Sequence, residues 1–166
     1  MRLPMRRMDR PGPRTALGCG VVAMLFSGGA RALVSSCTVS ASGVAFGIYD
    51  PTIPTATFSS GTIAVNCVVL GATGHNPVTI AFDTGGSGTF TSRTMLNGTD
   101  PLSYNLYIDA AYTQVWGDGT GVSLTNTQFV TPGKPSFSAT VYGMIPAAQT
   151  PGSGSFTDTI TVTVSF

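Results

Sequence analysis

Phe156-Thr-Asp-Thr-Ile-Thr-Val-Thr-Val-Ser-Phe166 decides the fold. From Thr159 onward Ile160, Val162, Val164 and Phe166 fall on one side, and Thr159, Thr161, Thr163 and Ser165 on the other. Successive side chains of a strand point to opposite faces, so the stretch predicts a half-buried strand with one dry face. Its β-branched residues suit a pleated surface and disfavour a helix. At roughly 3.3 Å per residue the eight positions reach about 26 Å, enough to cross a sandwich. No turn signal follows. What lies beside this strand is therefore the question on which function hangs.

Working backward, the apolar segments repeat with period two. Cys37, Val39 and Ala41 form one face, then Val44, Phe46 and Ile48 another after the Gly43 break. Ile63, Val65 and Cys67 precede a Gly/His/Asn/Pro turn, and Val78, Ile80 and Phe82 precede a second Gly-rich turn. Phe90 to Leu96 is a weaker segment before Asn97-Gly98, a strong hairpin signal. Leu102, Tyr104, Leu106 and Ile108 are expected inward, with Ser103, Asn105, Tyr107 and Asp109 outward. Val115-Trp116 is short. Phe137, Ala139, Val141 and Ile145 complete the series, and residues 147–155 read as a loop. Seven or eight short strands in one domain describe an antiparallel two-sheet sandwich.

Charge divides the chain. The sequence holds 8 Lys+Arg and 7 Asp+Glu, but six of the arginines precede Leu33. Residues 33–166 keep only Arg93 and Lys134 against six aspartates, a net charge of −4. Two cations do not neutralise a phosphate backbone, so nucleic acid is excluded as a partner. Residues 1–32 read as an export signal: an Arg-rich start, the apolar Val21-Val-Ala-Met-Leu-Phe26, and Ala30-Arg31-Ala32 as cleavage site. The apolar run is far short of the ~20 residues that span a bilayer. Met5 and Met8 are alternative initiators, and Cys19 leaves with the signal. The domain then occupies residues 33–166.

Export predicts that the two remaining cysteines, Cys37 and Cys67, form a bridge. Closing that loop stabilises by roughly 3.5 kcal/mol on the chain-entropy model. Catalysis finds little to work with. There is no Glu, and the sole histidine, His75, sits in a turn. Asp50 and Asp100 each precede a proline, and Asp118 lies between glycines, all turn arrangements. Asp109 and Asp118 lack the dense carboxylate spacing of a calcium loop. Cysteines and histidine do not match a zinc pattern. No enzyme, metal or cofactor is expected. Tyr107, Tyr112 and Trp116 are read chiefly as core or sheet-bridging residues; the alternative is an exposed aromatic set that stacks on a sugar or a surface.

A more specific likeness lies in Cys37-Thr-Val39, Val44-Ala-Phe-Gly-Ile-Tyr-Asp-Pro51, Gly61-Thr-Ile-Ala-Val-Asn-Cys67, Arg93-Thr-Met95, Leu102-Ser-Tyr-Asn-Leu-Tyr107, Val115-Trp-Gly-Asp-Gly119, Val141-Tyr-Gly143 and Phe156 to Val164. In this order they resemble the spore coat protein U-like domain, which includes subunits of archaic, Csu-type chaperone–usher pili. The resemblance implies an immunoglobulin-like sandwich lacking its last strand. A periplasmic chaperone, then the amino-terminal segment of another pilin subunit, would fill the gap by strand addition, with an outer-membrane usher directing assembly. Ile160, Val162, Val164 and Phe166 would line the groove, the terminal carboxylate would anchor the chaperone, and Cys37 and Cys67 would be the family's disulfide. The implied function is a non-enzymatic subunit of a cell-surface fimbria acting in adhesion and biofilm formation. The alternatives are a coat protein that never polymerises and a carbohydrate-binding sandwich module.

Overall fold

The computed structural model describes residues 33–166; the expected signal, 1–32, lies outside them. The described residues form ten strands: β1 Leu33–Ser42, β2 Thr57–Leu70, β3 Asn76–Phe82, β4 Arg93–Asn97, β5 Asp100–Tyr107, β6 Val115–Trp116, β7 Ser123–Leu124, β8 Asn126–Val130, β9 Ser136–Ile145 and β10 Val162–Ser165. One sheet runs β1-β2-β9-β5-β6-β7 with β4 hydrogen-bonded to β5; the other runs β10-β3-β8. The pairs of both sheets are antiparallel except β6 with β7 in the first. This is the expected immunoglobulin-like sandwich.

Alternation places the core. Ile63, Val65 and Cys67 of β2, Val78, Ile80 and Phe82 of β3, and Ala139, Val141 and Ile145 of β9 are buried between the sheets. The Cys37–Cys67 bridge forms between directly opposed residues of β1 and β2 and pins an edge strand to its neighbour. Residues 147–155 carry no strand, as expected.

Two glycines shape one end. A Cβ on Gly61 would stand 2.7 Å from the Ser42 carbonyl oxygen, and one on Gly143 would stand 2.6 Å from Val44 Cγ1 and 2.7 Å from Phe46 Cζ. They lie on the inner face of adjacent strands, where Ser59 opposes Gly143 and Gly61 opposes Val141. Their missing side chains let the chain leaving β1 cross onto the sheet and seat Val44 and Phe46 over the core. Phe46 then meets Tyr104 edge-on at 5.9 Å.

Four expectations are corrected. Residues 44–48 alternate in sequence yet form no strand: no strand pairs with them, the Ser59 hydroxyl donates to the Ala45 carbonyl at 2.6 Å, and Gly47 turns the chain with φ 74°. The closing strand is shorter than its pattern, because residues 157–161 are held by a bridge to Leu96 and by Asp83 rather than by a continuous ladder. Asn105 and Tyr107 are buried instead of solvent-facing: Asn105 donates to the Phe90 and Thr91 carbonyls under the loop entering β4, and Tyr107 lies beneath Tyr112. Strands β7 and β8 appear where no strand was expected. The burial of β8 runs intermediate, exposed, exposed, exposed, buried, so only Val130 is fully enclosed and the period-two signal is absent.

Candidate functional site

Burial is complete in the middle of the inner faces of β2, β3 and β9 but incomplete at the two strands that face each other across one side of the sandwich. Along β10 and the residues that enter it, Ile160, Val162 and Val164 pack against the core yet remain half-buried, while Thr159, Thr161, Thr163 and Ser165 are exposed. On β1, Val39 keeps 42% of its surface exposed although its neighbour in register, Val65, keeps 1%. An apolar row that reaches the core without being covered lacks a neighbour.

Main-chain geometry locates that neighbour's place. Strand β10 pairs only with β3, in the register Val162 to Phe82 and Val164 to Ile80, and the Asp83 amide donates to the Thr161 carbonyl at 3.1 Å. Hydrogen-bonded and non-hydrogen-bonded pairs alternate in an antiparallel ladder. Thr163 and Ser165 therefore spend their amides and carbonyls on β3, and Thr161 spends its own on the Asp83 carboxylate and amide, whereas those of Ile160, Val162 and Val164 point to the outer edge. Among the described residues no strand occupies that edge.

Between this edge and the crossing segment 41–46 lies a cavity of about 320 Å³, lined by Val44, Phe46, Ile63, Met95, Tyr104, Ile160 and Val162 among others. A second of about 700 Å³ shares Val44, Phe46, Met95 and Phe156 with it and continues between residues 44–51 and 151–156. Together they make an apolar slot that opens the core. Ile160 and Val162 line the 320 Å³ cavity; Val164 lies half-buried beyond, and Phe166 is 57% exposed.

Carboxylates fasten the entry to β10. Asp83 Oδ1 accepts the Gly85 and Thr161 amides, each at 3.0 Å. Burial pushes the Asp83 carboxyl up, but those bonds and nearby Arg93 outweigh it and hold its pKa below the usual range. Asp158 Oδ1 accepts the Gly86 amide at 3.0 Å, and its Oδ2 accepts the Tyr104 hydroxyl at 2.8 Å. Burial, then the Asp158 contact, raises the Tyr104 phenol well above its ordinary value. Tyr104 is thus a permanent donor beneath the slot.

The aromatic alternative is corrected for Trp116 and Tyr107. Trp116 is fully buried, stacked on Phe82 at 4.5 Å, with its Nε1 donating to the Ile80 carbonyl at 3.1 Å. Tyr107 is buried too, and only Tyr112 of the three stays partly exposed. The remaining aspartates serve turns: Asp109 accepts the Thr113 and Gln114 amides, and Asp118 accepts the Thr120 amide. Among the described residues no three His, Cys, Asp or Glu converge as metal ligands. His75 is exposed in its turn.

Comparison with known proteins agrees with this architecture. A family model, that of the Spore Coat Protein U domain, matches residues 25–163. Protein U of Myxococcus xanthus is 32% identical over 132 residues, which are 73% of this chain and 70% of that protein. Among solved structures, similarity extends to a chain in the crystal structure of the CsuC–CsuE chaperone–tip adhesion subunit pre-assembly complex from archaic chaperone–usher Csu pili of Acinetobacter baumannii. The TM-score is 0.53 at 20% identity, covering 79% of this chain and 39% of that one. At that identity the likeness is one of fold, and this chain spans well under half of its counterpart.

Proposed function

This chain belongs to the Spore Coat Protein U domain family, and from that premise we propose that it is a non-enzymatic structural subunit of a chaperone–usher surface pilus, exported through the periplasm and completed by a strand from another molecule. One observation carries the reading: Ile160, Val162 and Val164 turn their side chains toward the core and their main-chain groups toward an empty edge. An extended peptide in the slot gains hydrogen bonds from β10 and buries alternate side chains in the cavities beneath. The crossing segment 43–46, unpaired and half-buried on alternate residues, supplies the other wall. A periplasmic chaperone would hold the edge first, and a subunit delivered through an outer-membrane usher would replace it. An uncovered apolar edge otherwise invites aggregation. Adhesion and biofilm formation are the roles of such a fibre.

Co-expression with the chaperone of its own pathway tests this. We expect a sharp rise in soluble yield and a stable one-to-one complex. A chain that is soluble and monomeric without any chaperone sinks the proposal and favours the second reading, a coat protein that does not polymerise. The likeness to Protein U, which spans 70% of that protein against 39% of the Csu-complex chain, is what supports the second reading.

Cleavage after Ala32 would leave four residues before Cys37, and those four begin β1, with Leu33 opposite Leu70 and Val34 opposite Val69. Fully extended they reach at most about 14 Å. A subunit trimmed there accepts a donor strand and has none free to give, which suits a terminal or accessory position. Mass spectrometry of the mature amino terminus checks this; a start well upstream of Leu33 removes the argument.

A further inference from the structure

On the opposite side of the large sheet from the slot, four aromatic rings meet. Tyr107 of β5 and Tyr142 of β9 are neighbours in register, and Phe58 of β2 lies beside them on the outward face, 53% exposed. Tyr112 comes down from the loop after β5 and touches all three, with ring centroids 4.6 Å from Phe58, 5.5 Å from Tyr107 and 6.2 Å from Tyr142. From the outward alternation of β2 alone, Phe58 would be a stray apolar residue in solvent.

Two observations separate this cluster from simple packing under a loop. Tyr112 has φ 57°, a left-handed conformation that bulky residues seldom adopt. The turn imposing it is held by Asp109, whose carboxylate accepts the Thr113 amide, the Thr113 hydroxyl and the Gln114 amide. Strain kept in place by such over-determination is a mark of function. Secondly, the hydroxyls of Tyr107, Tyr112 and Tyr142 make no hydrogen bond to the protein among the described residues, and none is a buried atom left without a partner. Opposite Tyr142 stands Ser60, also exposed. The face thus combines rigid rings with free hydroxyls. The neighbouring carboxylate, Asp109, is already occupied by its turn.

We propose that this face, presenting Phe58, Tyr112 and Tyr142 with Tyr107 packed beneath them, binds a neutral oligosaccharide. Tyrosine offers large, amphipathic contact area with little side-chain entropy to lose, and its hydroxyl both donates and accepts, as sugar hydroxyls do. Among the described residues the only cations are Arg93, which is buried, and Lys134, which precedes the far end of β9 from Tyr142, and this argues against an anionic glycan. The slot lies on the other side of the sandwich, so the face stays accessible once a donor strand is bound.

The test is native electrophoresis of the full exported chain, as its chaperone complex if so obtained, through gels containing galactomannan, hydroxyethylcellulose or anionic alginate. We expect retardation by a neutral polymer, with apparent affinity about tenfold weaker in Tyr112→Asn and in Phe58→Ser. Asn tolerates the left-handed conformation, so Tyr112→Asn should keep its thermal midpoint within about 3 °C of wild type. Unaltered migration in both neutral gels overturns the assignment, as does a Tyr112→Asn variant that binds like wild type. So does retardation by alginate alone. A concentration-dependent dimer abolished by Tyr112→Asn, without retardation, would reassign the face to a second copy of the chain.

Discussion

The Arg93 guanidinium donates to Asn105 Oδ1 at 2.7 Å in the interior, with Arg93 fully buried and Asn105 nearly so. Its other N–H groups go to the carbonyls of Asp83 and Trp116 at 2.8 and 2.7 Å, and its charge lies 5.2 Å from the Phe90 ring centre. One side chain therefore ties the end of β3 to β4, β5 and β6. Burial lowers the Arg93 pKa, so the bonds to oxygen must hold the charge there. Arg93→Ala leaves several acceptors dry and should cost about 3–5 kcal/mol in urea unfolding. Arg93→Lys should recover only part of that, because an ammonium lacks the planar fork. Equal stability of wild type and Arg93→Lys would contradict this account.

The alternation of main-chain groups along β10 yields a sharper test. Thr163 is spent on β3 and Val164 faces the open edge. Thr163→Pro should destabilise the fold by about 2–3 kcal/mol through the lost ladder bond and the clash. Val164→Pro should cost about 1 kcal/mol, since proline is tolerated where the N–H is unpaired at an edge. Its defect should surface instead as weak chaperone capture. Co-purification yield beside urea midpoints resolves the two.

Gly61→Ala and Gly143→Ala should each destabilise by about 1–3 kcal/mol through overpacking. The Gly61 change should be the worse, because it drives into the Ser42 main-chain oxygen, whereas Gly143 meets side chains that can shift. Differential scanning calorimetry of the pair checks the order.

Acid should loosen the entry to β10. The Asp83 pKa is depressed in the folded chain, so its contribution is present above the unfolded value of about 3.9. That contribution disappears as pH falls through the lower folded value. Stability should be flat in this respect above about pH 5 and fall below about pH 4. Asp83→Asn should flatten that acid limb in a pH series of urea midpoints; an unchanged limb would assign it to other carboxylates.

The buried faces of β2, β3 and β9 were legible because each strand has five or more residues with one dry side, which makes alternation visible. The disulfide followed from export chemistry. Trp116 could not be placed, because a two-residue strand has no period. Strand β8 escaped for a related reason: at a sheet edge it encloses one residue. Arg93 shows no sign of burial in its neighbours, since its partners are chiefly carbonyls that every residue carries. The slot was the reverse case. Its walls alternate at residues 44–48 and 159–166, but only three dimensions show that both lack a neighbour.

The Cys37–Cys67 bond has a mechanical consequence. It spans 30 positions in sequence but joins facing residues of adjacent strands. Tension entering from the amino-terminal side passes from Cys37 straight to Cys67, and the loop between them never bears load. Stretched out, that loop would add about 100 Å of slack. Oxidation thus turns an extensible module into a stiff link for as long as the thiols stay paired.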